Sequence, residues 1–253
     1  QSFRTKDVPP WMARCMESVK SWALKNGYEY RFFGDELFDY APDWYRNRIN
    51  NQIHLVADLA RLNIAKQFLD NGYEKAIWID ADVLVFDPSN FTLPLEKSFS
   101  FCREIYVSYD NESKLVAYRR VNNAVTLMTK GNSFLNFYID TCKNIVANRA
   151  KLQHTSVGTS FLTAMNQQVS IDHINQLGLY SPLVMQDIAQ GGGEALSLYA
   201  KAFDAPNYAA NLCFTFNDVN TMGVKMTPYV FERVINVLLD TKGEVVNQYL
   251  QLA

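Results

Sequence analysis

The sequence predicts an α/β fold with a parallel sheet, and three observations carry that expectation. Its 253 residues, 48% apolar and 20% charged, supply a core for one large α/β domain or two small ones. The first eighty residues read helix, strand, helix, strand, an order that favours parallel pairing. The last of those strands is an apolar run that ends in two carboxylates, Asp80 and Asp82. Open α/β sheets bind their ligands where strands end.

Each element has its own signal. Pro9-Pro10 precedes Trp11 to Asn26, whose Met12, Met16, Val19, Ala23 and Leu24 spacing predicts an amphipathic helix ending at Gly27. Tyr28 to Phe33 reads as a short strand stopped by Gly34-Asp35. Asn51 to Asp70 is the strongest helix, with an apolar stripe of Ile53, Val56, Leu59 or Ala60, Ile64 and Phe68, and Asn71-Gly72 ends it. Ala76 to Ile79 is β-branched and aromatic, as a buried strand prefers. Ala124 to Met128 reads as a strand, Phe134 to Val146 and Thr159 to Met165 as helices. Pro228 to Leu239 is a helix with Pro in its first turn. From Ser170 to Thr227 the pattern is weak, and Gly191-Gly192-Gly193 reads as a turn, since no Lys-Ser/Thr follows to make a phosphate loop.

Composition excludes several classes. A net charge of −2 does not suit an electrostatic nucleic-acid binder. No apolar run reaches the length that crosses a bilayer. Cys15, Cys102, Cys142 and Cys213 are too scattered for a zinc site or a small disulfide scaffold, so buried free thiols are expected. A cytoplasmic location is expected, with peripheral membrane attachment as the second option. The chain starts at Gln1 rather than Met, which leaves an upstream signal or anchor open.

Two constellations carry chemistry. In Ala76 to Phe86, A-I-W-I-D-A-D-V-L-V-F, both carboxylates lie inside an apolar run. Buried carboxylates are costly unless something positive neutralises them. Mg²⁺ or Mn²⁺ carrying a phosphate group would suit such a pair, because these cations take oxygen ligands. The alternative is an Asp cap and turn after a core strand. Asp58 and Arg61 lie three apart, on one face of the Asn51 to Asp70 helix. Asp58 could accept hydrogen bonds from sugar hydroxyls, and Arg61 could offer its planar fork to phosphate or carboxylate oxygens. The alternative is a surface ion pair worth little.

Ala57-Asp58-Leu59-Ala60-Arg61-Leu62, followed by Ile77-Trp78-Ile79-Asp80-Ala81-Asp82, resembles glycosyltransferases of the GT-A fold. The closest pattern is the DXD sugar-binding family, with its S-D-L-x-R helix and Y-L-D-x-D strand. That family includes Golgi initiating mannosyltransferases, capsular polysaccharide transferases and the catalytic domains of large glucosylating toxins. Gln1-Ser2-Phe3 resembles the Q-T-[WF] ending its first strand, Pro10 to Trp22 its next helix region, and Val121-Asn122-Asn123-Ala124-Val125 its I-x-N-[AG] segment. The likeness covers roughly the first half of the chain. Asn71 to Lys75, between Arg61 and the DXD strand, is more similar to the lipopolysaccharide galactosyltransferase and glycogenin group. The family's C-terminal His element has no His here; Asn211-Leu212-Cys213-Phe214 is the nearest equivalent.

The resemblance implies a single GT-A catalytic domain over 1–253, with a Rossmann-like, mostly parallel central sheet flanked by helices. Its nucleotide-sugar half would span about 1–130 and its acceptor half about 131–253. It implies sugar transfer from a UDP- or GDP-sugar to a carbohydrate, lipid-linked or protein acceptor, with retained configuration by front-face displacement. The catalytic set would be Asp58, Arg61, Asp80 and Asp82. Gln1, Ser2, Phe3, Asp58, Arg61, Asp80 and Asn123 would bind the donor. Asp80 and Asp82 would hold Mn²⁺ or Mg²⁺, with Asn211 as third ligand or no third protein ligand. Asp187 is a further acid for the acceptor side or, alternatively, a solvated loop residue. Two rivals stand. A haloacid-dehalogenase-type phosphatase would use Asp80 as nucleophile, since Ile77 to Leu84 fits its first motif. Its G-D-x-x-x-D motif, similar to Gly34 to Asp39, would then lie on the wrong side of the nucleophile. The other rival is a non-catalytic nucleotide-sugar-binding module.

Overall fold

The structure is a computed structural model that describes residues 1–49 and 52–250. Helix α1 (Pro10–Lys25) starts on Pro10, whose missing N–H costs nothing at a first turn. It buries Trp11, Met12, Cys15, Val19 and Trp22, and its Ser18 hydroxyl accepts the Val85 N–H at 2.9 Å. A short helix α2 (Asp43–Arg48) and the long α3 (Ile53–Asp70) follow. Asn51, the first residue of the expected helix, lies outside the described residues.

Strands β1 (Lys75–Ile79) and β2 (Val83–Val85) flank the Asp80–Asp82 turn. Then come β3 (Phe99–Tyr109), β4 (Leu115–Thr129), α4 (Ser133–Asn148) and α5 (Thr159–Asn166). The remaining elements are β5 (His173–Ile174), β6 (Leu177–Leu179), α6 (Pro182–Gln190), α7 (Glu194–Phe203) and β7 (Ala209–Asn211). The hairpin β8 (Val219–Thr221)–β9 (Val224–Met226) leads to α8 (Pro228–Thr241) and α9 (Glu244–Asn247).

The class is α/β, as expected, but the ladders are mixed rather than mostly parallel. One sheet has the order β1-β4-β3-β5, with β4 antiparallel to both β1 and β3, and β5 parallel to β3. A second has the order β2-β7-β6, antiparallel then parallel. The reason is the β3–β4 hairpin, closed by Asp110, whose side chain accepts the Glu112 and Lys114 N–H groups. It inserts an antiparallel strand beside β1. Tyr28 to Phe33 is extended but forms no strand. It meets Ser2 in a single parallel bridge at Phe33, and a cavity of about 510 Å³ lies between it and β1. Because β5 and β7 from the second half pair with β3 and β2 from the first, and β6 extends the sheet beyond β7, the halves share their sheets.

Helix α3 departs from the expected stripe. Ile53 is exposed, while Leu55, Asp58, Arg61 and Leu62 are buried beside Val56, Leu59 and Ala60. Two bodies cover this helix. The sheet and α4 pack one flank through Leu59, Phe101, Met128 and Tyr138. Leu37 and Trp78 pack the other through Ala60 and Ile64.

The weakly patterned Ser170 to Thr227 contains two helices. Pro182 opens α6, and Gly191 (φ 87°) ends it in the left-handed conformation that glycine adopts freely. A Cβ on Gly193 would collide with the Asp187 carboxyl. That carboxyl accepts the Leu196 N–H at 2.9 Å, so Asp187 caps the first turn of α7. It lies on helix α6 rather than in a loop. Asp187→Ala is expected to cost about 1 kcal/mol and to lower the melting temperature by about 2–4 °C for a chain of this size. An unchanged thermal unfolding curve would refute the capping role.

Candidate functional site

The site forms where β1 ends. Strand β1 delivers Trp78 and Ile79 into the core, and the chain then turns at Asp80–Asp82 before β2. The Asp80 N–H donates to the Ala124 carbonyl at 2.8 Å, which pins the turn to β4. Helix α3 runs alongside and presents Asp58 and Arg61 to the same turn.

Arg61 is the hub. It is 8% exposed and uses its whole guanidinium. Its Nη1 donates to the Asn123 carbonyl at 2.8 Å and lies 3.1 Å from Asp80 Oδ1. Its Nη2 is 3.3 Å from Asp58 Oδ1, and its Nε reaches the Ala57 carbonyl at 3.3 Å. The Trp78 ring lies 5.2 Å from the guanidinium carbon. Burial acts to lower the Arg61 pKa, but Asp80 and Asp58 outweigh it and hold the group above its ordinary value. This is a buried bridge between two carboxylates, not the surface ion pair of the alternative reading.

Asp58 is 7% exposed and accepts the Asn123 amide at 2.8 Å. Burial pushes its carboxyl up from the ordinary range, against the pull of Arg61 and Asn123. Asp80 is half-buried, and the Trp78 indole N–H donates to its Oδ1 at 2.7 Å. Gln1 donates its amide to the Asp80 carbonyl at 3.1 Å and accepts the Tyr30 hydroxyl at 2.9 Å.

Asp82 faces the other wall. Its Oδ1 accepts the Asn211 amide at 2.7 Å and its Oδ2 accepts the Phe214 N–H at 2.8 Å. Burial, reinforced by neighbouring Asp80, pushes its carboxyl up to about 7. Phe3 stacks edge-on against Phe214, with centroids 5.1 Å apart, so the Gln1–Phe3 segment touches both walls. Ser2 contributes its backbone bridge to Phe33.

The structure therefore gathers Gln1, Phe3, Asp58, Arg61, Asp80, Asp82, Asn123 and Asn211 around the Asp80–Asp82 turn. Gly34 to Asp39 does not join them: Asp39 is exposed and pairs with Arg46 at 3.5 Å. Among the described residues, no three His, Cys, Asp or Glu side chains converge as a metal cluster. The donor set on offer is the two carboxylates, oxygen donors as a hard divalent cation requires; Asn211 turns its Nδ2 to Asp82 and its Oδ1 accepts the Cys213 N–H at 2.7 Å, so its oxygen reaches an ion only if the amide turns over. Arg61 pairs with Asp58 and Asp80, and among the described residues no cation lies within ion-pair distance of Asp82. The residues fit such an ion.

Two residues near the site, Gly158 and Glu104, carry no sequence signal strong enough to find them, and Asn122 ties one to the other's neighbour. Gly158 precedes α5 and lies over the Asp58–Asn123 pair. A Cβ there would fall 2.9 Å from Asp58 Oδ2 and 3.0 Å from Asn123 Oδ1. Asn122 donates to Glu104 Oε2 at 3.2 Å and to the Thr159 hydroxyl at 3.1 Å. Glu104 is buried in β3. A lone glycine before a helix and a lone acid in a strand both read as ordinary structure; only the Asn122-Asn123 pair stands out in sequence.

No protein-family model and no curated protein matches the chain. Among solved structures it is similar to a glycosyltransferase involved in the glycosylation of the major capsid of PBCV-1. That structure is 11% identical, with a TM-score of 0.47, over 84% of this chain and 91% of the other. Among the described residues, no helix is long and apolar enough to cross a membrane.

Proposed function

We propose that the protein is a metal-dependent glycosyltransferase that moves a sugar from a UDP- or GDP-sugar to a carbohydrate, lipid-linked or protein acceptor. The observation that carries this reading is the Arg61 bridge, which sets Asp58 and Asp80 side by side while Asp82 and Asn211 face them. Sugar-hydroxyl recognition needs fixed carboxylate and amide acceptors, and Asp58 with Asn123 supplies them. Diphosphate recognition needs positive charge and oxygen-ligated cations. Asp80, Asp82 and Asn211 would hold Mn²⁺ or Mg²⁺, which would neutralise charge on the departing diphosphate oxygen.

The roles of the chain's own residues follow. Asp58 and Asn123 accept and donate hydrogen bonds to the transferred sugar. Arg61 fixes Asp58 and Asp80 in place through its ion pairs with both. Gln1, Ser2 and Phe3 border the nucleotide side. The acceptor oxygen bonds to the anomeric carbon as the bond from that carbon to the diphosphate breaks, and the hydroxyl proton leaves with the diphosphate. Retention of configuration and a location inside the cell, with peripheral membrane attachment as the second option, rest on the family resemblance and remain part of this proposal.

The test is a thermal-shift screen of nucleoside diphosphates with and without Mn²⁺, because a ligand that binds only the folded state raises its stability. UDP or GDP is expected to stabilise the protein only with the cation. Asp82→Asn is expected to lower that affinity at least about tenfold, a loss of about 1.4 kcal/mol, while the protein stays folded. Mn²⁺-dependent binding that is unchanged in the variant, measured by calorimetry, removes the metal assignment. Rapid release of phosphate from simple monoesters, with no nucleoside diphosphate from any donor, would favour a phosphatase.

A further inference from the structure

Strand β1 stops at Ile79, which pairs with Val125, and the Asp80 N–H takes the next β4 carbonyl, that of Ala124. Strands β3 and β4 run on past that point as a two-stranded wall, in register from Cys102↔Asn122 to Tyr109↔Leu115. Glu104 lies on this wall opposite Arg120. The roles described above do not use it.

Its surroundings tie it to the crevice. The Asn122 amide links Glu104 Oε2 to Thr159, the next residue after Gly158, which contacts Asp58 and Asn123. Glu104 therefore borders the Asp58–Asn123 group through Asn122 and Thr159. Among the described residues its Oε1 has no hydrogen-bond donor, and its nearest cation is Arg120 Nη1 at 4.0 Å. Unlike Ser100 Oγ, Arg103 Nε and Ser181 Oγ, this oxygen is not sealed from solvent, so it is open to a donor from outside the chain. Arg120 also lies over the Tyr106 ring, 4.8 Å from its centroid. Tyr106 and Arg120 are each partly exposed, so the carboxylate borders an aromatic and guanidinium rim.

We infer that Glu104, Tyr106 and Arg120 form the acceptor subsite and that it takes a carbohydrate, one hydroxyl of which donates to Glu104 Oε1. An uncharged polyol suits this wall: the carboxylate accepts a hydroxyl, the Arg120 fork donates to ring or hydroxyl oxygens, and the Tyr106 ring covers an apolar sugar face. This assignment rests on the transferase reading.

The experiment uses the whole chain with Mg²⁺ and UDP or GDP. Calorimetry measures nucleotide affinity. Saturation-transfer NMR measures binding of the methyl glycosides of glucose, galactose and mannose. At least one glycoside is expected to bind wild type. Glu104→Gln is expected to weaken that binding about tenfold, as loss of a charge-assisted hydrogen bond would, and to leave nucleotide affinity within about twofold. Arg120→Ala, at a partly exposed position, is expected to weaken glycoside binding about threefold and guards against a Glu104 variant that fails to fold. Nucleotide binding without any glycoside signal overturns the subsite alone. A Glu104 variant that weakens nucleotide and glycoside equally, or neither, overturns it too. Absence of nucleotide binding in wild type removes the transferase reading and the subsite with it.

Discussion

Replacing Arg61 with leucine is expected to cost the fold about 3–5 kcal/mol. The guanidinium is the only cation within ion-pair distance of Asp58 among the described residues, and it also satisfies the Asn123 carbonyl. Without it, the 7% exposed Asp58 carboxylate is left with the Asn123 amide alone. Removing one member of a buried pair strands the other charge, which is why this loss exceeds that of a surface ion pair. A second substitution separates charge from shape. Asp58→Asn in the Arg61→Leu background removes the stranded charge, so it is expected to recover about 2 kcal/mol. It should restore no donor turnover, because the sugar-facing carboxylate is gone as well. Denaturant unfolding of the single and double variants checks both statements. A loss below about 1 kcal/mol for Arg61→Leu would mean that Asp58 carries no charge in the folded protein.

Gly158→Ala is the second large effect, and it needs only one methyl group. The added carbon would press on Asp58 Oδ2 and on both polar atoms of the Asn123 amide, at 2.9, 3.0 and 3.2 Å. Neither side chain can give way freely, since Asp58 is held by Arg61 and Asn123 by Asp58. Overpacking of this kind costs about 1–3 kcal/mol of stability. A displacement of about 1 Å at a reacting centre costs about 100-fold in rate. Donor turnover is therefore expected to fall about 100-fold, while affinity for free nucleoside diphosphate, which lacks the sugar, changes little. Full turnover in the variant would place the transferred sugar elsewhere.

These two residues mark what could and could not be read from the chain. Asp58, Arg61, Asp80 and Asp82 are legible because carboxylates and a guanidinium inside apolar runs contradict their neighbours. The helices α1, α3, α4, α5 and α8 are legible from spacing, proline and glycine. Strand β3 is not, because its residues are buried on both faces and lose the alternation that marks a strand. Strand β4 is read only in its apolar end, since Arg119, Arg120, Asn122 and Asn123 interrupt the pattern where it lines the crevice. That long hairpin is also why parallel pairing fails: which strand lies beside β1 is a long-range choice with no local signal. Helices α6 and α7 are short, so their periods, marked in α7 only by Glu194, Ser197 and Lys201, span too few turns to stand out. Gly158 and Glu104 matter through neighbours that lie tens of residues away in the chain.

Asp82 already spends both carboxylate oxygens on the protein, one on Asn211 and one on the Phe214 N–H. Those bonds tether a stretch that holds Cys213 (φ 55°) and Asp218 (φ 60°) in left-handed backbone, a conformation costly for residues with a side chain. An ion taking the same oxygens would compete with the tether. If Asp82 takes the proposed ion through these oxygens, the ion-free protein would be the more fastened form on this side, and filling the site would loosen it. Substrate arrival and chain release would be two readings of a single exchange of partners at one carboxylate.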